Sequence, residues 1–204
     1  MLLWTIQPEE VWNIILKAGV YRCDPEKCEF LQEREEKLDP KFTPAYSWLA
    51  DQMDKRVGKR PEGVQFPVWA WYQYNCKRKP DLRRERWENG YDGERFACIE
   101  LEIPDKLVLL SDFHMWHFVL NRWPISDTEE ESNRLDSFLD NVEQDKAEAF
   151  LRQNWERVFD ITPFKNEWTS RGEDIQATFW ELKYEYVKRA RFFSAARKWK
   201  GTES

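Results

Sequence analysis

Apolar and polar positions at the start of the chain fall into three short patterns. Leu2-Leu3-Trp4-Thr5-Ile6 is a run of strand formers. Pro8, Glu9 and Glu10 follow and suit the first turn of a helix, where a missing N–H costs little and negative charge meets the positive dipole end. Val11, Ile15 and Ala18 then recur at helical spacing, with Trp12 and Leu16 beside them, and Gly19 is a natural stop. Val20-Tyr21-Arg22-Cys23 reads as a second strand. The opening is therefore predicted as strand–helix–strand.

Charged residues dominate 24–41, with helical character from Glu26 to Leu38. Thr43-Pro44 opens another helix, with Thr43 as its N-cap and Ala45, Trp48, Leu49, Gln52 and Met53 as its inner stripe. After a loop punctuated by Gly58, Pro61 and Gly63, the stretch Phe66 to Tyr74 is rich in strand formers. Alternation puts Val68, Ala70, Tyr72 and Tyr74 on one face and Trp69, Trp71 and Gln73 on the other. Residues 75–94 read as a polar loop. Phe96 to Ile103 alternates as a strand, with Ala97, Ile99, Leu101 and Ile103 facing the core and Cys98, Glu100 and Glu102 opposite. Leu107 to Leu110 follows as a short buried strand.

Ser111 or Asp112 caps a helix with the stripe Phe113, Trp116, His117 and Leu120, ended by Pro124. Ser126 with Glu129 fits a capping box, and a long helical region runs from there through Leu135, Phe138, Phe150, Trp155 and Val158. Ile161 to Asp174 reads as loop, Ile175 to Leu182 as a strand, and Glu185 to Phe193 as a strand or helix. Helices and strands mix without regular alternation. The expected fold is a single α+β domain over 1–204, with a mixed or antiparallel sheet and several packed helices; the helical segment 127–160 reads as an insertion or appendage.

Composition narrows the functional classes. Twelve Trp, 13 Phe and 7 Tyr in 204 residues bury enough area to offset chain entropy, which excludes a disordered chain. Glycine is scarce at 7, and no GxGxxG, GxxxxGK[ST], GxSxG or HExxH motif occurs, so a glycine-rich phosphate loop is not expected. Two histidines exclude a His-rich metal centre, and no metal is expected. Cys23-x4-Cys28 has the spacing of half a zinc site, but Cys76 and Cys98 would have to converge on it; unpaired thiols are the simpler reading. Few cysteines, no basic leader and no apolar run near the roughly 18 residues of a membrane span predict a cytoplasmic, non-membrane protein. The net charge of −6 is unevenly spread. Residues 127–148 are strongly acidic. Two basic runs stand out: Lys77, Arg78, Lys79, Arg83, Arg84 and Arg86, then Lys188, Arg189, Arg191, Arg197, Lys198 and Lys200. Such runs either hold phosphates or are solvated faces.

Several residues carry candidate chemistry. Trp69 and Trp71 share a strand face and form either a stacking platform for a base or packing under a helix. His114 and His117 lie three apart on one predicted helix, with His117 on its apolar stripe. Glu181 extends the apolar face of Ile175, Ala177 and Phe179; it is either a strand end in water or a carboxylate held at a pocket.

Leu3-Trp4-Thr5-Ile6-Gln7, Gly19-Val20-Tyr21-Arg22-Cys23-Asp24, Val68-Trp69-Ala70-Trp71-Tyr72, Glu100-Leu101-Glu102-Ile103-Pro104 and Gln176-Ala177-Thr178-Phe179-Trp180-Glu181 together resemble an uncharacterised bacterial family of this length, a domain of unknown function. The order of strand, helix ending in glycine, second strand and late glutamate-bearing strand is also similar to ADP-ribosyltransferase domains. Here Thr5 and Gln7 stand where those domains carry Arg or His, and Gln176 and Glu181 are five apart rather than two. That second resemblance implies an enzyme using NAD. Glu181 would polarise a ribose hydroxyl and stabilise an oxocarbenium-like transition state, with His117 orienting the ribose. Arg22 would hold the pyrophosphate, Tyr46 or Trp69 would stack on nicotinamide, and Thr5 would stand at the first-strand cofactor position. The alternative class is a non-enzymatic module: basic segments 77–86 and 188–200 gripping nucleic acid, or acidic 127–148 meeting a protein partner.

Overall fold

The computed structural model describes residues 1–27 and 42–196. Strand β1 (Leu2–Pro8) leads into helix α1 (Glu9–Ala18), which buries Val11 and Ile15. Gly19, at φ 75°, ends α1 by donating its N–H to the Ile15 carbonyl, a left-handed stop that a Cβ would strain. Next come β2 (Val20–Tyr21), α2 (Thr43–Arg56), β3 (Val68–Gln73), α3 (Leu82–Glu88), β4 (Arg95–Glu102), β5 (Leu109–Asp112) and α4 (Phe113–Leu120). Then follow α5 (Glu129–Leu139), α6 (Gln144–Asn154), β6 (Phe164–Lys165), β7 (Ser170–Arg171), β8 (Ile175–Phe179), β9 (Leu182–Lys183) and β10 (Val187–Ser194).

Six strands form one sheet in the order β10-β4-β1-β3-β8-β5, with every neighbouring pair antiparallel. The fold is α+β, and the sheet is antiparallel rather than mixed. Both faces are covered. On one, Leu3, Val68, Ala70, Ile99, Leu101, Ala177 and Phe179 pack beneath Val11 and Ile15 of α1. On the other, α2 and α4 close over Trp69, while Trp4, Cys98 and Phe193 meet Leu82 of α3. Two-sided burial accounts for the tryptophan content: antiparallel sheets more often leave one face to water. Trp48 lies edge-on to Trp155 at 5.7 Å and stacks on Phe159 at 5.6 Å, and such pairs add about 0.5–1.5 kcal/mol beyond area burial.

Several expectations are corrected. The predicted loop 75–94 contains α3, which the charged run hid because it buries only Glu85; its start is set by Asp81, whose side chain accepts from the Arg83 amide. Helix α4 is turned about one position from the predicted stripe. Met115, Trp116 and Val119 are its buried residues, and His117 is exposed. The strand predicted over 175–182 stops at Phe179, so Glu181 lies in the bend before β9. The 161–174 loop carries the β6–β7 hairpin, and residues 187–194 resolve the last segment as a strand. The Ser126 capping box is shifted: Thr128 Oγ1 accepts from the Glu131 amide, and Glu131 Oε2 accepts from the Asp127 amide. Of the predicted 26–38 helix, only the 3-10 turn Pro25–Lys27 is described; the rest, with Cys28, lies outside the described residues.

Segment 127–160 splits into α5, α6 and a 3-10 turn, Trp155–Phe159. Helix α5 buries no residue, and the segment docks through Leu151, Trp155 and Val158. Arg157 ties its ends together. Its Nη1 donates to Ile125 O and Glu131 Oε1, each at 2.8 Å, and its Nη2 to Asp127 Oδ2 at 2.8 Å. The hydrogen bond from Arg157 holds the Glu131 carboxyl below its usual range, although burial pushes it up. A depressed carboxylate pKa contributes stability above its unfolded value of about 4.3, and that contribution is lost as pH falls through the folded value. Arg157→Met is expected to cost about 1–3 kcal/mol at pH 7, a melting-temperature drop of roughly 2–12 °C at this chain length. The difference from wild type should shrink in acid. Thermal melts from pH 7 down to pH 3 check this; a variant melting with wild type throughout would contradict it.

Candidate functional site

The ladder β2–β9 pairs Tyr21 with Leu182, so the next residues outward, Arg22 and Glu181, face each other across it. Arg22 Nε and Nη2 both donate to Glu181 Oε1, at 2.9 and 2.6 Å, and Lys183 Nζ lies 3.5 Å from Oε2. Trp180 sets this position: its Nε1 donates to Gly58 O at 2.9 Å and Arg60 lies over its ring, which anchors the bend beside α2. The Glu181 side chain is 18 % exposed and Arg22 49 %. At that exposure the pair contributes about 0–1 kcal/mol to stability. Chemically, it is one carboxylate between two cations at the mouth of a short ladder. An anion can be drawn to the cations, and a hydroxyl can donate to the carboxylate.

Thr5, Trp69 and Tyr46 form a different group. Thr5 is buried; its Oγ1 donates to Trp69 O and accepts from Gln7 Nε2, both at 2.8 Å. The Tyr46 ring sits 6.0 Å from Trp69 and 5.5 Å from Trp116, and Trp69 lies 5.1 Å from Trp116. Trp71 meets Phe113 at 5.1 Å. Helix α4 thus covers the Trp69–Trp71 face, which is packing under a helix rather than an open stacking platform. His117 stands on the outer side of α4 with Nδ1 donating to Phe113 O at 3.0 Å. Of the residues singled out from sequence, Arg22 and Glu181 come together, and Thr5, Trp69 and Tyr46 come together inside the core. The pair stands at the mouth of the β2–β9 ladder, the trio under α2 and α4, and His117 on the outer side of α4.

His114, the neighbour of His117 in the pattern, has the better-defined environment. Its Nε2 lies 3.1 Å from Asp174 Oδ2, and Asp174 is buried. Nothing in the sequence marks Asp174, which sits in a loop-like stretch just before β8. The cysteines take separate places. Cys98 is buried, and burial pushes its thiol up to about 12, which leaves it inert at neutral pH. Cys76 is exposed at a turn. Among the described residues, no three of His, Cys, Asp and Glu gather as a metal site.

The basic segments are partly spent on packing. Arg78 lies over the Tyr72 ring and donates to Leu2 O, and Arg84 lies over Tyr74. Lys188 pairs with Glu102 and Arg191 with Glu100. Lys77, Lys79, Arg83 and Arg86 are exposed. Arg197, Lys198 and Lys200 lie outside the described residues. No helix among the described residues is long and apolar enough to cross a membrane.

No curated protein and no solved structure matches the chain. The model of one family, a domain of unknown function, DUF3841, matches residues 2–188, nearly the whole of the sheet and the helices that cover it; the chain belongs to that family.

Proposed function

We propose that the chain is an enzyme of the ADP-ribosyltransferase type, acting at the Arg22–Glu181 pair on NAD. The observation that carries this reading is the direct contact between a guanidinium and a half-buried carboxylate 159 residues apart in sequence. Arg22, Lys183 and Glu181 fit a ligand that is anionic and bears hydroxyls, because two cations flank one acceptor. Arg22 and Lys183 would hold phosphate oxygens. Glu181, released from Arg22 when phosphate takes its place, would accept a hydrogen bond from a ribose hydroxyl and face positive charge developing on the sugar. Tyr46 and Thr5 are buried, Trp69 packs partly buried against the core, and His117 lies on the outer side of α4, so none of the four is assigned to the ligand. Glu181→Gln should abolish nicotinamide release from NAD. Because the pair is worth about 1 kcal/mol or less, its melting temperature should stay within a few degrees of wild type. Arg22→Ala should weaken NAD binding, measured by calorimetry. Absence of NAD binding in the wild type, or full turnover in Glu181→Gln, would contradict the reading.

A second reading, nucleic-acid binding, is favoured by one contact. The Ala196 amide donates to Arg86 O at 2.8 Å, which sets the backbone just after β10 beside α3. Exposed Trp87 and Tyr91 lie next to the exposed Lys77, Lys79, Arg83 and Arg86 in sequence. Backbone-phosphate binding of this kind falls steeply with salt. The quadruple substitution of those four cations by Ala should flatten the salt slope of single-stranded RNA binding by about 3, at roughly 0.7 per phosphate contact. Salt-independent binding, or none, in filter assays would sink it.

A further inference from the structure

Two carboxylates are buried at the adjoining ends of β5 and β8, where Asp112 pairs with Ile175. Asp112 is used up by backbone: Oδ1 accepts from the Met115 amide at 2.9 Å and Oδ2 from the Gly172 amide at 2.7 Å. Asp174 is not. Its Oδ1 accepts from the Asn75 amide at 2.5 Å, but Oδ2 meets the imidazole of His114. A carboxylate only accepts, so Nε2 carries a proton, and whenever the ring is neutral Nδ1 is its acceptor. The Asp174 side chain is 8 % exposed and that of His114 is 46 %. A buried charge therefore fixes the tautomer and tilt of a ring that reaches solvent.

That ring lines a cavity of about 140 Å³, together with Met115, Phe118, Ser126, Trp168 and the hairpin residues Thr169 and Ser170. The far wall is also fixed. Trp168 Nε1 donates to the Ser126 hydroxyl at 3.2 Å, and Asn166 Oδ1 accepts from the amides of Trp168 and Thr169 at 2.9 and 2.8 Å. The lining joins the apolar surfaces of Met115, Phe118 and Trp168 to the polar groups of His114, Ser126, Thr169 and Ser170. Cavities of about 150 Å³ accept a benzene-sized ring.

We propose that this cleft binds a single planar heteroaromatic ring with an N–H donor, of pyrimidine size. His114 Nδ1 accepts the ring N–H, and Phe118 and Trp168 supply the apolar walls. Asp174 is a positioning residue that holds Nδ1 as the acceptor. The site is separate from Glu181 and does not rest on the NAD reading. Uracil is the probe, and 1,3-dimethyluracil, which lacks both N–H groups, is its control. In the wild-type protein uracil should shift the Trp168 indole N–H resonance saturably, and dimethyluracil should bind about tenfold more weakly, the worth of one hydrogen bond. His114→Phe keeps a planar ring but removes the acceptor, and should erase the difference between the two probes. No saturable shift with uracil, or equal affinity for both probes in the wild type, would overturn the proposal, and that comparison needs no variant to fold.

Discussion

The packing over Trp69 and Trp71 depends on where α4 lies, and the start of α4 is held by Asp112. This carboxylate is fully buried at the end of an edge strand. A charge in that position is tolerable only if its lone pairs are met. The Met115 amide comes from the first turn of α4 and the Gly172 amide from the loop leading to β8, so one side chain fixes a helix to a strand end. With the N-cap set, the rotation of α4 follows. Trp116 drops onto Trp69 and Tyr46, His117 turns out to water, and His114 comes to Asp174. The sheet face that two tryptophans would otherwise offer to a base is closed by the same constraint.

The chemistry left open is therefore peripheral to the sheet. One locus is the mouth of the β2–β9 ladder, where an exposed Arg22 meets a half-buried Glu181. Another is the cleft beside the β6–β7 hairpin. Both are built from short, irregular pieces at the ends of regular elements, where side chains reach solvent while their backbones stay anchored. The family assignment names no activity, and the fold by itself does not imply one.

Much of the architecture was legible in the residues. Gly19 ended α1 because only a left-handed residue fits there, and alternation in 96–103 marked β4. What could not be read follows from longer-range contacts. Helix α3 buries almost nothing apolar, so its charged run carries no stripe. The predicted face of α4 differs because Phe113 and His117 fit a helical stripe as well as Met115 and Val119 do; packing of Met115 and Val119 against residues distant in sequence distinguishes the two. The Arg22–Glu181 contact depends on the register of a two-residue ladder, which no local pattern encodes. His114 was visible as half of a pair with His117, but its partner is Asp174, 60 residues away.

The direct test of this dependence is the unfolding free energy and amide exchange of Asp112→Asn. The substitution keeps the shape but removes the charge and sets an amide N–H against either the Met115 or the Gly172 amide. A loss of about 1–3 kcal/mol is expected, from one unsatisfied buried donor, with faster exchange at the Met115 and Gly172 amides. Unchanged stability with full protection of both amides would mean that α4 is held by something other than this carboxylate.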